Sequence, residues 1–338
     1  MKLLFKFLFI FLLLYSCESD EKIISPVAKF TTSLKTDRVY LDASESGYNT
    51  GASNNDELLY SWDVVSYKTE VESEQSKKTY FILPDSETEH KIKVNLKVSD
   101  GNEIATLSKE IELPAFNDHI IEYGLGTKVF DRICNNVSYP IYVDQGNTGI
   151  HSNSNCGPSS TVMAIKWYNS KTDANAQQAR NEIRPDGSWW YTYNITSYLS
   201  KYEVPNYIMP IQSKFTLINE LKKGNIFILC LDMYYISKEI NSQYRIDKFY
   251  ATPTKEWGHF IVVTGYRKVD TKEYFEVLDP ASMGQKYQDN TLKGSCRYYN
   301  LVDIMRATDE WWKNCIVVSR NQVKFKVNNK NIVHARGR

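Results

Sequence analysis

Several shortages in this 338-residue sequence each exclude a class of protein. There is no excess of one charge: 41 Lys and Arg stand against 40 Asp and Glu. That balance argues against nucleic acid or an acidic polymer as an obligate partner. Glycine (15) and proline (10) are scarce, and no repeat or low-complexity tract interrupts the chain, which argues against extensive disorder. The five histidines and six cysteines form no cluster with zinc-ligand spacing, so no metal and no cofactor is expected. The cysteines also lack the tight spacing of a disulfide framework; Cys296 with Cys315 is the first pairing to test. The apolar run from Phe7 to Tyr15 is too short to span a bilayer.

That run has another use. Lys2 and Lys6 precede it, and Leu14-Tyr15-Ser16-Cys17 closes it, in the manner of a processed targeting segment. The tetrapeptide resembles the lipobox of bacterial lipoproteins, with an unusual Tyr before the small residue. The resemblance implies a signal peptide over 1–16, cleavage before Cys17, lipidation of its sulfur and anchoring to the cell envelope, outer membrane or surface included. An ordinary secretory signal with a chance cysteine is the alternative. Cleavage removes two lysines and takes the formal charge from +1 to −1. Residues 17–25 are then a solvated tether, and the mature chain is expected to be a monomer.

Residues 26–114 alternate apolar and polar side chains in short runs, as in Leu59-Tyr60-Ser61-Trp62 and Lys91 to Val98, separated by turn-forming stretches such as Asn49-Thr50-Gly51. This pattern predicts an all-β immunoglobulin-like sandwich. Leu41-Asp42-Ala43-Ser44, Tyr60-Ser61-Trp62-Asp63 and Val98-Ser99-Asp100-Gly101 together resemble the PKD family, which implies a spacer or adhesion module. Trp62 is expected in its core, and Asp42, Asp63 and Asp100 in strand-end hydrogen bonds rather than around calcium. Residues 115–137 are expected to be a connector. From 138 to 320 the pattern gives helices first and strands later, an α+β domain. The basic residues 321–338 form a tail.

The chemistry concentrates at Asn155-Cys156-Gly157-Pro158-Ser159-Ser160, a loop delivering a cysteine to the first turn of a helix whose apolar stripe includes Val162 and Ile165. Pro158 is tolerated in that turn because its missing N–H has no intrahelical acceptor. Helix-start N–H groups and the helix dipole favour the thiolate, the form that attacks carbonyls. Such a nucleophile needs a base, and the base needs an orienting group. His90, His119 and His334 fall outside the domain, leaving His151 and His259; His259 stands at the mouth of the apolar strand Phe260 to Tyr266. A hairpin folded symmetrically about Val269 would bring position 259 beside Asp279. The Gln145 amide, with the backbone N–H of Cys156, can serve an oxyanion.

In this order, Gln145, Cys156, His259 and Asp279 resemble the papain-like cysteine peptidases, and most nearly the bacterial C39-like group. The resemblance covers about 138–320. It implies Cys156 as nucleophile, His259 as base and acid, Asp279 as orienter and Gln145 as oxyanion donor, acting on a peptide or protein substrate. No transporter segment accompanies them, which puts cleavage of a double-glycine leader in doubt. Trp189, Trp190 and Trp257 are candidate substrate contacts, although adjacent aromatics cannot all face one cleft and core packing is the stronger reading for the Trp189-Trp190-Tyr191 group. Two other functions fit the same residues: an amidase or transglutaminase-like acyl transferase, and an inactive surface binding or adhesion lipoprotein.

Overall fold

The computed structural model describes residues 24–35, 38–49, 58–65, 71, 73–83, 86, 89–320 and 334–337. The expected signal peptide, Cys17 and residues 321–333 of the tail lie outside the described residues. No described helix is long and apolar enough to cross a membrane. The chain divides into two compact units, 1–83 with 89–113, and 84–88 with 114–338.

The first unit is built of strands: β1 (Pro26–Val27), β2 (Thr31–Lys35), β3 (Arg38–Asp42), β4 (Gly47–Tyr48), β5 (Leu59–Val65), β6 (Lys78–Ile82), β7 (His90–Ser99) and β8 (Ile104–Leu113). They form antiparallel sheets in the orders β2-β3-β6 and β5-β7-β8, with β1 paired to β4. Period-two patterning explains them, because successive side chains of a strand point to opposite faces. Tyr60, Trp62 and Val64 on β5, and Ile92, Val94, Leu96 and Val98 on β7, are buried while most of their neighbours are not. Trp62 is a core residue: its ring meets Phe30 edge-on at 5.2 Å and its Nε1 donates to the Ser76 carbonyl at 2.8 Å. The three aspartates make separate local bonds, Asp42 with Ser44 and Lys78, Asp63 with Asn95, and Asp100 with the backbone of Asn102 and Glu103.

The second unit runs β9 (Val129–Cys134), α1 (Cys156–Tyr168), α2 (Ala176–Glu182), α3 (Thr192–Lys201), β10 (Asn206–Pro210), α4 (Lys214–Lys222), β11 (Ile226–Asp232), β12 (Gly258–Val269), β13 (Lys272–Leu278), β14 (Arg297–Asn300), α5 (Leu301–Trp311) and β15 (Asn314–Val318). An antiparallel sheet in the order β10-β15-β11-β12-β13-β14 organises it, and β9 also pairs with β12. Helices cover both faces. Ile226, Ile228 and Cys230 of β11 enter the core shared with α1 and α3. The alternate residues Phe227, Leu229 and Leu231 enter a second core shared with α4 and α5. A strand buried on both faces is apolar throughout, which is why β11 shows no alternation in the sequence. Helix α1 likewise departs from the expected single stripe: every residue from Cys156 to Ile165 is buried, because the sheet, α2 and α3 enclose it.

Two expectations are corrected here. The segment 115–137 is not merely a connector, since it supplies β9, whose residues 129–134 pair with the distal half of β12. Buried charges fix it there: Asp118 accepts from Arg132 at 2.8 Å and from Arg267 at 3.2 Å, and Arg267 reaches Glu276 at 3.3 Å. The Cys296–Cys315 disulfide does not form; no disulfide joins any of the described cysteines. Cys315 lies on β15 and Cys296 immediately before β14, a strand four places away in the sheet order. Four strand spacings amount to about 19 Å, against a Cα separation of roughly 7 Å at most for a disulfide.

Removing Asp118 takes a carboxylate partner from two buried guanidinium groups, Arg132 and Arg267, and leaves Arg267 with Glu276. Asp118→Ala should therefore destabilise the second unit by about 3–5 kcal/mol, read as a lower urea midpoint at unchanged slope. An unchanged midpoint would show that β9 is held without this carboxylate.

Candidate active site

Cys156 opens α1 directly after a 3-10 turn at Ser152–Ser154. Asn155, wholly buried, holds that approach: its Nδ2 donates to the carbonyl and hydroxyl oxygens of Thr148, and its Oδ1 accepts from Arg180 Nε at 2.6 Å. The Arg180 guanidinium also donates to the carbonyls of Ser154, Arg184 and Ser188. It is a buried cation held by neutral acceptors, and burial lowers its pKa while the neighbouring Cys156 acts in the opposite direction. Sequence reasoning missed this residue, because Arg180 lies in an ordinary polar helix turn with no local mark. Gly157 is needed for close packing: a Cβ there would come within 2.7 Å of the Trp190 Cβ.

His259 lies on β12 opposite Leu231 of β11 and is 4 % exposed. Its Nε2 is 2.8 Å from Asp279 Oδ1, which leaves Nδ1 as the nitrogen for the sulfur. Burial alone would lower the histidine's pKa. The Asp279 carboxylate, its hydrogen bond and a further hydrogen bond with the Cys156 side chain outweigh burial and raise it to about 10. Asp279 is wholly buried, which opposes its ionisation, yet His259, Tyr299 and the Ala281 N–H hold its pKa below the ordinary carboxylate value. Its second oxygen accepts from Tyr250 at 2.9 Å and from Tyr299. The two tyrosines lie 29 and 20 residues from Asp279 in sequence, and no local pattern marked them.

The hairpin that carries this pair is not symmetric about Val269. The turn is two residues, Asp270 and Thr271, with Asp270 at φ +51°, and Val269 pairs with Lys272 rather than marking the midpoint. A bulge between Val263 and Gly265 then shifts the register by one, so Val262 faces Leu278. Asp279 follows the end of β13, two positions off the symmetric register, and its side chain reaches back to His259. Close packing holds it there, since Gly294 lies so near that a Cβ on it would overlap the Asp279 carbonyl.

Gln145 begins a 3-10 turn, is buried, and donates from Nε2 to the Ser152 carbonyl at 3.0 Å, bracing the loop that leads to Cys156. The same turn is tied to the loop after Asp279: Gln145 N–H donates to Pro280, while Asp144 accepts from the N–H groups of Met283 and Gly284. The three tryptophans separate. Trp190 is a core residue, 0 % exposed, with Nε1 on the Ile183 carbonyl, so its ring is not a substrate contact. Trp257 packs on the core beside α4 and α5, and its N–H is held by Asp232. Trp189 is half-buried beneath the Arg336 guanidinium. Burial pushes the thiols of Cys230, Cys296 and Cys315 up, disfavouring their thiolates. Among the described residues no group of three or more His, Cys, Asp and Glu is placed to hold a metal ion.

Residues 137–303, just under half of the chain, match the Peptidase_C39 like family. The matched span lies within the second unit, and the family it resembles suggests a cysteine peptidase. No curated protein matches. Similar solved structures include a candidate C39-like peptidase from Bacillus anthracis, at 13 % identity and TM-score 0.39, covering 57 % of this chain and 100 % of that one. Another is a nucleoside hydrolase-related hypothetical protein from Saccharophagus degradans, at 20 % identity and TM-score 0.22, covering 27 % of this chain and 26 % of that one.

The raised His259 pKa has a signed consequence. A histidine at about 10 in the fold and about 6.5 unfolded contributes stability fully below 6.5, and loses it as pH rises toward 10. The urea midpoint of the second unit should therefore fall across that window. Asp279→Asn, which removes the charge that raises the histidine, should flatten the slope. An equal slope in both proteins would remove the ion pair from the account.

Proposed function

We propose that the second unit is a cysteine peptidase in which Cys156 is the nucleophile, His259 the base and acid, and Asp279 the group that orients the imidazole. The observation that carries this reading is His259 itself: a buried imidazole bonded through Nε2 to a buried carboxylate and hydrogen-bonded to the Cys156 side chain. An imidazole held protonated supports a thiolate beside it, and the thiolate is the attacking form. In the proposed reaction the sulfur attacks the peptide carbonyl, and His259 gives its proton to the departing amine. Water, deprotonated by His259, then releases the acid from the thioester. The tetrahedral oxyanion takes donors from the start of α1, where backbone N–H groups lack intrahelical acceptors, and from the second amide hydrogen of Gln145, the first being engaged by Ser152.

The test is incubation with a diverse peptide pool followed by sequencing of new termini. Cys156→Ala should abolish them, and Gln145→Ala should slow their appearance on the order of 10²–10³-fold. Transfer to an added amine without hydrolysis would reassign the unit to the acyl transferases. New termini from the Cys156→Ala protein would end the proposal.

We propose also that residues 1–16 are a lipoprotein signal, that lipid on Cys17 anchors an exported chain, and that the first unit is a PKD-like spacer. Three motif segments and two three-stranded antiparallel sheets support the last point. Cys17→Ala should move the protein from the membrane pellet to the soluble fraction; retention in the pellet would contradict the anchor.

A further inference from the structure

Cys156 is 1 % exposed, too enclosed for a sulfur that must meet a peptide carbonyl. Part of its cover comes from residues 334–337 of the same unit. A Cβ built on Gly337 would lie 2.9 Å from Cys156 Sγ and 2.4 Å from a ring carbon of Phe260. The segment is extended and pairs antiparallel with the stretch that leads into α3, Tyr191 facing Arg336. Thr192 N–H donates to the Ala335 carbonyl at 2.9 Å, and Gly337 N–H donates to the Trp190 carbonyl at 3.1 Å. On the other side the Arg336 carbonyl accepts from Trp311 Nε1 at 2.9 Å. Side chains add to this: Arg336 lies over the Trp189 ring at 4.6 Å, and His334 Nδ1 is 2.8 Å from Thr192 Oγ1.

We propose that residues 334–337 are a tethered occupant of the active site, bound as an extended peptide along the Trp190–Thr192 edge and shielding Cys156 until displaced. Backbone hydrogen bonds to an exposed edge are the sequence-tolerant way to hold a peptide, with side chains adding selectivity. The same edge then receives the substrate backbone, and substrate must compete with the segment for it. Glycine at 337 is required for the seat, since a larger side chain has nowhere to go between Phe260 and the sulfur. This rests on the reading of Cys156 as the reactive thiol, but not on turnover.

The test is the rate of Cys156 alkylation by iodoacetamide, with the Cys156→Ala protein subtracting labelling of the other cysteines. It is measured in the parent chain, in Gly337→Val, and in a chain shortened after residue 333, each with its melting curve. Occupancy lowers the apparent reactivity by the fraction of open sites, so both altered chains should label about tenfold faster or more. A synthetic peptide of residues 334–337 should slow the shortened chain again. Equal rates in all three chains would overturn the proposal. Fast, peptide-protected labelling without hydrolysis of any peptide would leave the occupant in place and remove the peptidase instead. Hydrolysis at unchanged labelling rates would do the reverse.

Discussion

The second unit depends on one buried carboxylate. Asp279 has no solvent to stabilise its charge, and a lone ionised carboxylate in such a place is costly enough to pick up a proton instead. Donors from four other residues prevent that: His259, the Ala281 N–H, Tyr250 and Tyr299. Apart from the adjacent Ala281, they come from β12, the loop before it and β14, so the donor set is complete only when these are assembled. Its charge in turn raises the pKa of His259 and holds a proton on the imidazole, whose ring is hydrogen-bonded to the Cys156 side chain at the start of α1. Local electrostatics and global fold are thereby the same constraint.

The architecture supplies rigidity to match. Cys156 is carried by a helix buried from Cys156 to Ile165, His259 by a strand buried at every position but Lys268, and Asp279 follows directly from the next strand. The loop ahead of Cys156 lacks that regular support and is held by the buried guanidinium of Arg180 and by Gln145. Side chains fixed by packing and by outer hydrogen bonds hold a reactive geometry better than loops do. The 334–337 segment completes the enclosure by covering the sulfur with a glycine.

What the sequence made legible was whatever has a local signature. The polar loop with Gly157 and Pro158 marks the start of α1, the apolar run after Gly258 marks β12, and Leu278-Asp279-Pro280 marks the end of β13. Period-two runs marked β5 and β7. Long-range facts were not legible. A hairpin symmetric about Val269 points to position 279, whereas the turn lies at Asp270 and Thr271 and a bulge lies between Val263 and Gly265, and side-chain reach absorbs the two residues of register. Strand β9 was taken for a connector because its partner lies more than a hundred residues away on β12. Arg180, Tyr250 and Tyr299 lie in locally ordinary surroundings, and only the fold brings their polar atoms to the site. The helix α5 was missed although Leu301, Ile304, Ala307 and Thr308 form a buried face, because its first turn follows directly from β14 without a loop to announce it.

The central claim is that His259 carries a proton at neutral pH inside the fold. Ring nitrogen chemical shifts of ¹⁵N-histidine-labelled protein, assigned by comparison with His259→Gln, read this directly across a pH series. The account predicts an imidazolium signature at pH 7 that titrates only near pH 10. A neutral ring with one unprotonated nitrogen at pH 7 would contradict it, and the ion pair would have to be given up.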